Sequence, residues 1–192
     1  MKKNDDRKWE VLHREYLYRE PWFTARRDHV RLPNGQEIKD YYVLEYPDWV
    51  NTIAITRTGE FVLVRQYRHG IGETRYELCA GVCENNETPL QAAQRELLEE
   101  TGYGHGRWLP LMNISGNTST TNNLTHCFLA LDVEPVDKQH LDQSEDLSVH
   151  LLSEQEVWDL LNEDQFRQSL MVAPLWKYFV IKKQLNSFSF ML

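Results

Sequence analysis

The 192-residue sequence predicts an α+β fold with a small antiparallel β unit at its N-terminal end. Three observations carry this. Asn34-Gly35 stands between DHVRL and QEIKDYYVLEY, the strongest short-range signal for a hairpin. Leu90, Ala93, Leu97 and Leu98 form an apolar stripe at helical spacing, opened by Thr88-Pro89 and stopped by Gly102. On both sides of that helix the chain has strand character: VNTIAIT, EFVLVRQYR and YELCAGV before it, WLPLMNISG and LTHCFLALDV after it.

Residues 8 to 50 are rich in aromatic and alternating residues and read as the antiparallel unit, with a domain boundary expected between 1–48 and 49–192. Thr58-Gly59 then turns VNTIAIT into EFVLVRQYR as a second hairpin, and YELCAGV follows as a short strand. Thr88 can cap a helix and Pro89 suits its first turn, where a missing N–H costs nothing, so a helix of about 14 residues is expected up to Gly102. The polar run GNTSTTNN separates the last two strands as a loop or bent edge. Ser153 with Glu156 forms a capping box that opens a helix through Leu161. A final helix is expected from near Pro174, carrying Leu175, Tyr178, Phe179 and Ile181; the tail NSFSFML has no pattern that places it.

Composition narrows the function classes. Lys and Arg total 21 against 29 Asp and Glu, a net charge of -8, so a nucleic-acid footprint is not expected. A small anionic substrate needs an intervening cation. The start, MKKNDDRKWE, lacks the apolar stretch of a signal peptide, and no window has the roughly 18 uninterrupted apolar residues of a membrane span, so no membrane partner and a cytoplasmic location are expected. Cys79, Cys83 and Cys127 make an odd number without C-x-x-C spacing and read as reduced, buried small hydrophobes.

The glutamates of the central helix are the informative feature. Glu96, Glu99 and Glu100 stand three and four residues apart and share a face, where each like-charge pair costs roughly 3 kcal/mol at about 5 Å and an effective dielectric near 20. They also lie in the last turns, where the helix dipole disfavours negative charge. A bound divalent cation removes the conflict, and oxygen donors without Cys or His favour Mg²⁺, with Mn²⁺ as a substitute. Arg95 can pair with Glu99 at i,i+4, and Glu87 is close enough to brace Arg95. On the helix alone, a solvated charge run held by such pairs is the simpler reading.

The upstream context reverses that preference. From Gly81 the chain reads GVCENNETPLQAAQRELLEETGY: glycine, five residues, Glu87, seven residues, Arg95-Glu96-Leu97, one residue, Glu99-Glu100, one residue, Gly102 and a bulky Tyr103. Every fixed position of the Nudix box is filled, so the sequence resembles the Nudix hydrolases. The resemblance implies an α/β/α sandwich around a mixed sheet and hydrolysis of a nucleoside diphosphate linked to another group. It further implies Glu96 and Glu100 as main metal ligands, Glu99 as a further ligand or support, the Ala80 carbonyl as a backbone ligand, and Arg95 and Glu87 as residues that orient them. Gly81 would let the backbone approach the metal, and Gly102 would end the helix.

FVLVRQYRHGIGETRYELCAG is similar to the corresponding stretch of the ADP-ribose and nucleotide-sugar pyrophosphatase branch. Arg65 and Arg68 are candidates for phosphate or ribose contacts, although strand alternation sends them to opposite faces. In that branch the N-terminal unit swaps across a homodimer and helps hold the base, which makes Trp22, Tyr41, Tyr42 and Trp49 candidate stackers against the alternative of ordinary core aromatics.

This sequence departs from the branch at three places. Cys79 stands where proline is usual. Thr118-Ser119 stands about sixteen residues past the box, where ADP-ribose enzymes commonly carry proline, which leaves GDP-mannose or another NDP-sugar open as the substrate. In the acidic loop DQSEDLSV, Glu145 matches a metal-binding position, but Gln143 occupies the place of a second glutamate that would act as base. Glutamine cannot accept the proton, so Glu145, Asp142 or Glu99 must activate the water. The expected reaction yields a nucleoside monophosphate and a sugar phosphate; a catalytically silent nucleotide-sensing module is the alternative.

Overall fold

The computed structural model describes residues 6–143 and 145–189. In chain order the elements are β1 (Glu10–Glu20), β2 (Phe23–Arg31), β3 (Glu37–Glu45), β4 (Trp49–Thr56), β5 (Phe61–Arg68), β6 (Glu73–Val82), α1 (Pro89–Thr101), β7 (Tyr103–Gly104), β8 (Arg107–Ile114), β9 (Thr125–Pro135), β10 (Leu147–Leu152), α2 (Glu154–Asn162) and α3 (Ser169–Ser189). They fall into two compact units, one reaching to Pro47 with Asn117–Asn123 added, the other made of Asp48–Gly116 and the chain from Leu124 onward.

The first unit is a three-stranded antiparallel sheet in the order β1-β2-β3. Its second hairpin turns at Asn34-Gly35, with Gly35 at φ +86° donating to the Leu32 carbonyl. The polar run after β8 belongs here: the Leu44 amide donates to the Thr120 carbonyl, and the Tyr46 amide to the Asn122 side chain. The unit has little apolar core. Its centre is instead Asp28, buried and held by Arg14 at 2.9 Å and Arg26 at 3.1 Å. Burial alone would raise this carboxyl, but the two arginines outweigh it and hold Asp28 below the usual aspartate range.

A depressed carboxyl pKa contributes stability above the ordinary aspartate value, and that contribution is lost as pH falls through the folded-state pKa. Asp28→Asn should therefore destabilise this unit by about 1 to 2 kcal/mol at pH 7, because Arg14 and Arg26 lose a shared carboxylate while Arg26 keeps its ion pair with Glu45. The gap should close in acid. Thermal melts across the pH range check this, and a gap that widens in acid would contradict the assignment.

The second unit is built on a seven-stranded sheet in the order β10-β5-β6-β4-β9-β7, with β8 pairing β9. β4 and β9 run parallel and the other pairs antiparallel, so the sheet is mixed. Side chains alternate across it. Ile53, Ile55, Phe61, Leu63 and Leu78 pack with Val157, Leu161, Met171 and Leu175 of α2 and α3. Ala54, Val62, Cys79, Ala130 and Val133 face Leu97 of α1, and Val50 and Phe128 face Ala92 and Ala93. The result is an α/β/α sandwich in which the box helix covers one face alone.

Three expectations need correction. The Thr58-Gly59 turn forms, but β4 and β5 pair only at Ala54–Val62 and Ile55–Phe61; beyond that β6 pairs with both strands and lies between them. Leu90 is exposed, and the inward face of α1 carries Glu96 and Glu100 beside Ala93 and Leu97. The last helix begins at Ser169, five residues before Pro174. A proline inside a helix leaves the carbonyl four residues earlier without its donor, and here Asn51 from β4 donates to that Leu170 carbonyl at 2.6 Å. The helix continues through most of the tail to Ser189, while Phe190–Leu192 lie outside the described residues. Among the described residues no helix is long and apolar enough to cross a membrane.

Candidate active site

The site is assembled on a strand, a loop and a helix. β6 runs out at Val82, the loop brings Glu87 under the start of α1, and Thr88 caps the helix through a reciprocal capping box with Gln91. Arg95 organises the loop. Its guanidinium donates to Glu87 at 2.8 and 3.2 Å, to the Val82 carbonyl at 3.0 Å, to Glu96 at 2.8 Å and to Glu99 at 3.0 Å. Glu87 in turn accepts the Glu84 amide at 2.6 Å. The Glu87 contact is the main reason that the Arg95 pKa is held above its usual value.

Glu96 and Glu100 are both buried, a placement that carboxylates adopt only with compensation. Glu100 accepts the Ala80 amide at 3.1 Å. Burial, with smaller help from the charges of Glu96 and Glu145, pushes its pKa up to about 8 against the opposing hydrogen bonds from Cys79 and the Ala80 amide. Burial also raises Glu96, with Arg95 opposing and Glu99 and Glu145 adding repulsion. Glu145, at the foot of β10 in the acidic loop, thus shares the field of both box carboxylates; its own carboxylate accepts the Asp142 amide at 2.9 Å. Glu99 points outward, its side chain 41% exposed and engaged by Arg95. Gln143 and Asp142 are exposed.

Gly81 leaves the space that Glu96 uses: a Cβ there would lie 2.0 to 2.3 Å from the Glu96 carboxyl atoms. Gly102 ends the helix at φ +74°, and a Cβ there would meet the Asp137 carbonyl at 2.3 Å. The segment after β9 closes the helix end. The His140 amide donates to the Glu99 carbonyl at 2.8 Å, the Gln139 side chain to the Glu100 carbonyl at 2.7 Å, and the Val136 amide to the Gly102 carbonyl at 2.9 Å. This segment leads directly into the acidic loop, so the helix terminus and Glu145 are held together.

The donor set fits a hard divalent cation. It offers oxygen alone, and buried carboxyls that repel one another are relieved by positive charge. Among the described residues no three acidic, His or Cys side chains already converge at ligand distance; Glu96 is turned into its bond with Arg95.

The arginines separate. Arg68 reaches back along β5 past Gln66 and binds Glu77 through Nε at 2.9 Å and Nη2 at 2.6 Å, within the field of Glu100 and Glu145. Arg65 lies on the other face of the sheet, over the Tyr76 ring at 5.7 Å, and is not brought to the box. Trp22 is exposed in the β1–β2 turn at φ +61°; Tyr41 is half-buried, edge-on to Trp9, and donates to the Ser119 carbonyl at 2.6 Å; Tyr42 is exposed. Trp49 belongs to β4 of the second unit. The sequence reading missed Glu77, whose signal is an acid inside the otherwise apolar YELCAGV, and it missed Gln139 and His140, which carry no local signal.

Comparison with known proteins agrees with this architecture. Residues 9–44 match the nucleoside diphosphate sugar hydrolase N-terminal domain and residues 45–173 match the NUDIX domain. An ADP-ribose pyrophosphatase of Bacillus subtilis (strain 168) is 32% identical over 121 residues, 62% of this chain and 65% of that protein. A methanol dehydrogenase activator of Bacillus methanolicus is 36% identical over 103 residues, 54% of this chain and 55% of its own. The chain thus spans less than two thirds of the length of these two relatives. A crystal structure of an ADP compounds hydrolase superposes with a TM-score of 0.79 at 23% identity, covering 94% of this chain and 95% of that one. With the box filled, the sandwich formed and two thirds of its length matched, the chain belongs to the Nudix family.

Proposed function

We propose that the chain is a Mg²⁺-dependent pyrophosphatase that cleaves the diphosphate of a nucleoside diphosphate sugar of the ADP-ribose type. The observation that carries this is the pair of buried carboxyls, Glu96 and Glu100, facing the strand end at Ala80-Gly81. Glu96, Glu100, the Ala80 carbonyl and Glu145 would hold the cation, with Glu99 in support; when bound it supplies charge neutralisation and acidifies water. Arg95 and Glu87 hold the loop and Glu96 in register. Arg68, half exposed beside the carboxylates, grips a phosphate oxygen. Glu145 takes the proton from the attacking water in place of Gln143. A new oxygen–phosphorus bond forms as the anhydride bond breaks, giving a nucleoside monophosphate and a sugar phosphate.

The N-terminal unit, with its thin core and exposed aromatics, is proposed to be completed by a second copy of the chain and to supply base-stacking rings. A second reading, a catalytically silent module that senses a nucleotide, is favoured by Gln143 alone. Hydrolysis of ADP-ribose, GDP-mannose, UDP-sugars and dinucleoside polyphosphates, each with Mg²⁺, separates the two. The expected result is release of both monophosphates from a nucleotide sugar, with light scattering giving twice the chain mass. No turnover on any of the panel would support the silent module.

A further inference from the structure

Glu77 is buried in β6, and its carboxylate takes three hydrogen bonds from Arg68, two of them from a shared Nε, and a fourth from Gln66 at 3.3 Å. An acid in the middle of a buried strand needs a reason, since an apolar residue at that position would pack with less desolvation. The reason lies one layer away. Glu77, Cys79 and Gly81 alternate onto the α1 face of the sheet, and Leu147 of β10 pairs with Gln66 of β5 in antiparallel register, so that Glu145, two residues earlier, comes level with Arg68; the charges of Glu145 and Glu100 both act on its guanidinium. Without Glu77, the Arg68 guanidinium is free to turn to those two carboxyl groups, which the proposed cation requires.

We propose that Glu77 is a positioning residue that holds Arg68 away from the carboxylates of Glu100 and Glu145, so that a divalent cation rather than a guanidinium occupies them. The bidentate geometry does this directionally. It uses Nε and one edge of Nη2, and among the described residues Nη1 makes no hydrogen bond, so one end of the fork stays open to an anion while the other is anchored. Arg68 thereby remains in the site as a phosphate contact without competing with the metal. This inference rests on the cation site proposed above.

The test is uptake of Mn²⁺ alone, without substrate, followed by electron paramagnetic resonance. Glu77→Gln keeps the shape but loses the charge and one acceptor. It should bind Mn²⁺ at least about tenfold more weakly than wild type, the order expected when one cation is set against the carboxylates. The double variant Arg68→Gln/Glu77→Gln, which removes the competing guanidinium, should return to within about twofold of wild type. A purely structural role for Glu77 would not be rescued in metal affinity by removing Arg68. If Glu77→Gln fails to fold by circular dichroism, the double variant decides, and a tenfold loss in it overturns the inference. Equal Mn²⁺ uptake by wild type and Glu77→Gln overturns this inference alone; a wild type that takes up none overturns the cation site as well.

Discussion

Glu100→Gln should fold normally and lose turnover by about 100- to 1000-fold, the scale of about 3 to 4 kcal/mol found when one preorganised electrostatic contact to a transition state is removed. The side chain is buried almost completely, and its Oε2 accepts the Ala80 amide at 3.1 Å. Glutamine preserves that hydrogen bond and the packing volume, so the metal-free fold should be little affected. What it cannot do is carry the negative charge that a cation recruits. In the absence of metal, burial already pushes Glu100 up to about 8, so loss of its charge there should cost the metal-free fold little. Steady-state kinetics with saturating Mg²⁺, alongside thermal melts of the metal-free proteins, check both halves. Wild-type turnover in the variant would remove the box from the mechanism.

Gly81→Ala should produce a comparable loss by a different route. Gly81 is not in the left-handed region of backbone space, so alanine is tolerated by the chain itself. The added Cβ would nevertheless lie 2.0 Å from the Glu96 carboxyl carbon, closer than any real contact, and Glu96 must move. Its freedom is small because it is buried and bonded to Arg95 at 2.8 Å. We expect turnover to fall by at least about 100-fold, since a carboxylate shifted by an ångström no longer meets its partners. The melting temperature should change by only a few degrees. Wild-type kcat/KM in Gly81→Ala would show that the observed Glu96 position is irrelevant to the reaction. Gly102 differs, because its neighbour is the Asp137 backbone and its φ is +74°, so a side chain there strains the fold rather than the site.

Much of this architecture was legible because its signals are local. Thr88 and Ser153 both form capping boxes, Asn34-Gly35 turns its hairpin, and the fixed spacing of the box places Arg95 among its acids. The misses depend on partners distant in sequence. Pro174 looks like a helix start until Asn51, from 119 residues away, satisfies the Leu170 carbonyl that the proline orphans. The Thr58-Gly59 hairpin is pried apart by β6, which no pattern within VNTIAIT or EFVLVRQYR announces. Arg65 and Arg68 are indistinguishable as residue types; the pleat and the buried Glu77 separate them. Likewise the carbonyls at the end of α1 find donors in Gln139 and His140, whose role exists only once the chain has returned from β9.

The central claim is that the buried carboxyls of α1 exist to hold a divalent cation. Calorimetric titration of Mg²⁺ into the metal-free protein, in parallel with Glu100→Gln, tests it most directly. Saturable uptake by the wild type, weakened at least about tenfold in the variant, is the result this structure predicts; no saturable uptake by the wild type, or equal uptake by both, would contradict it.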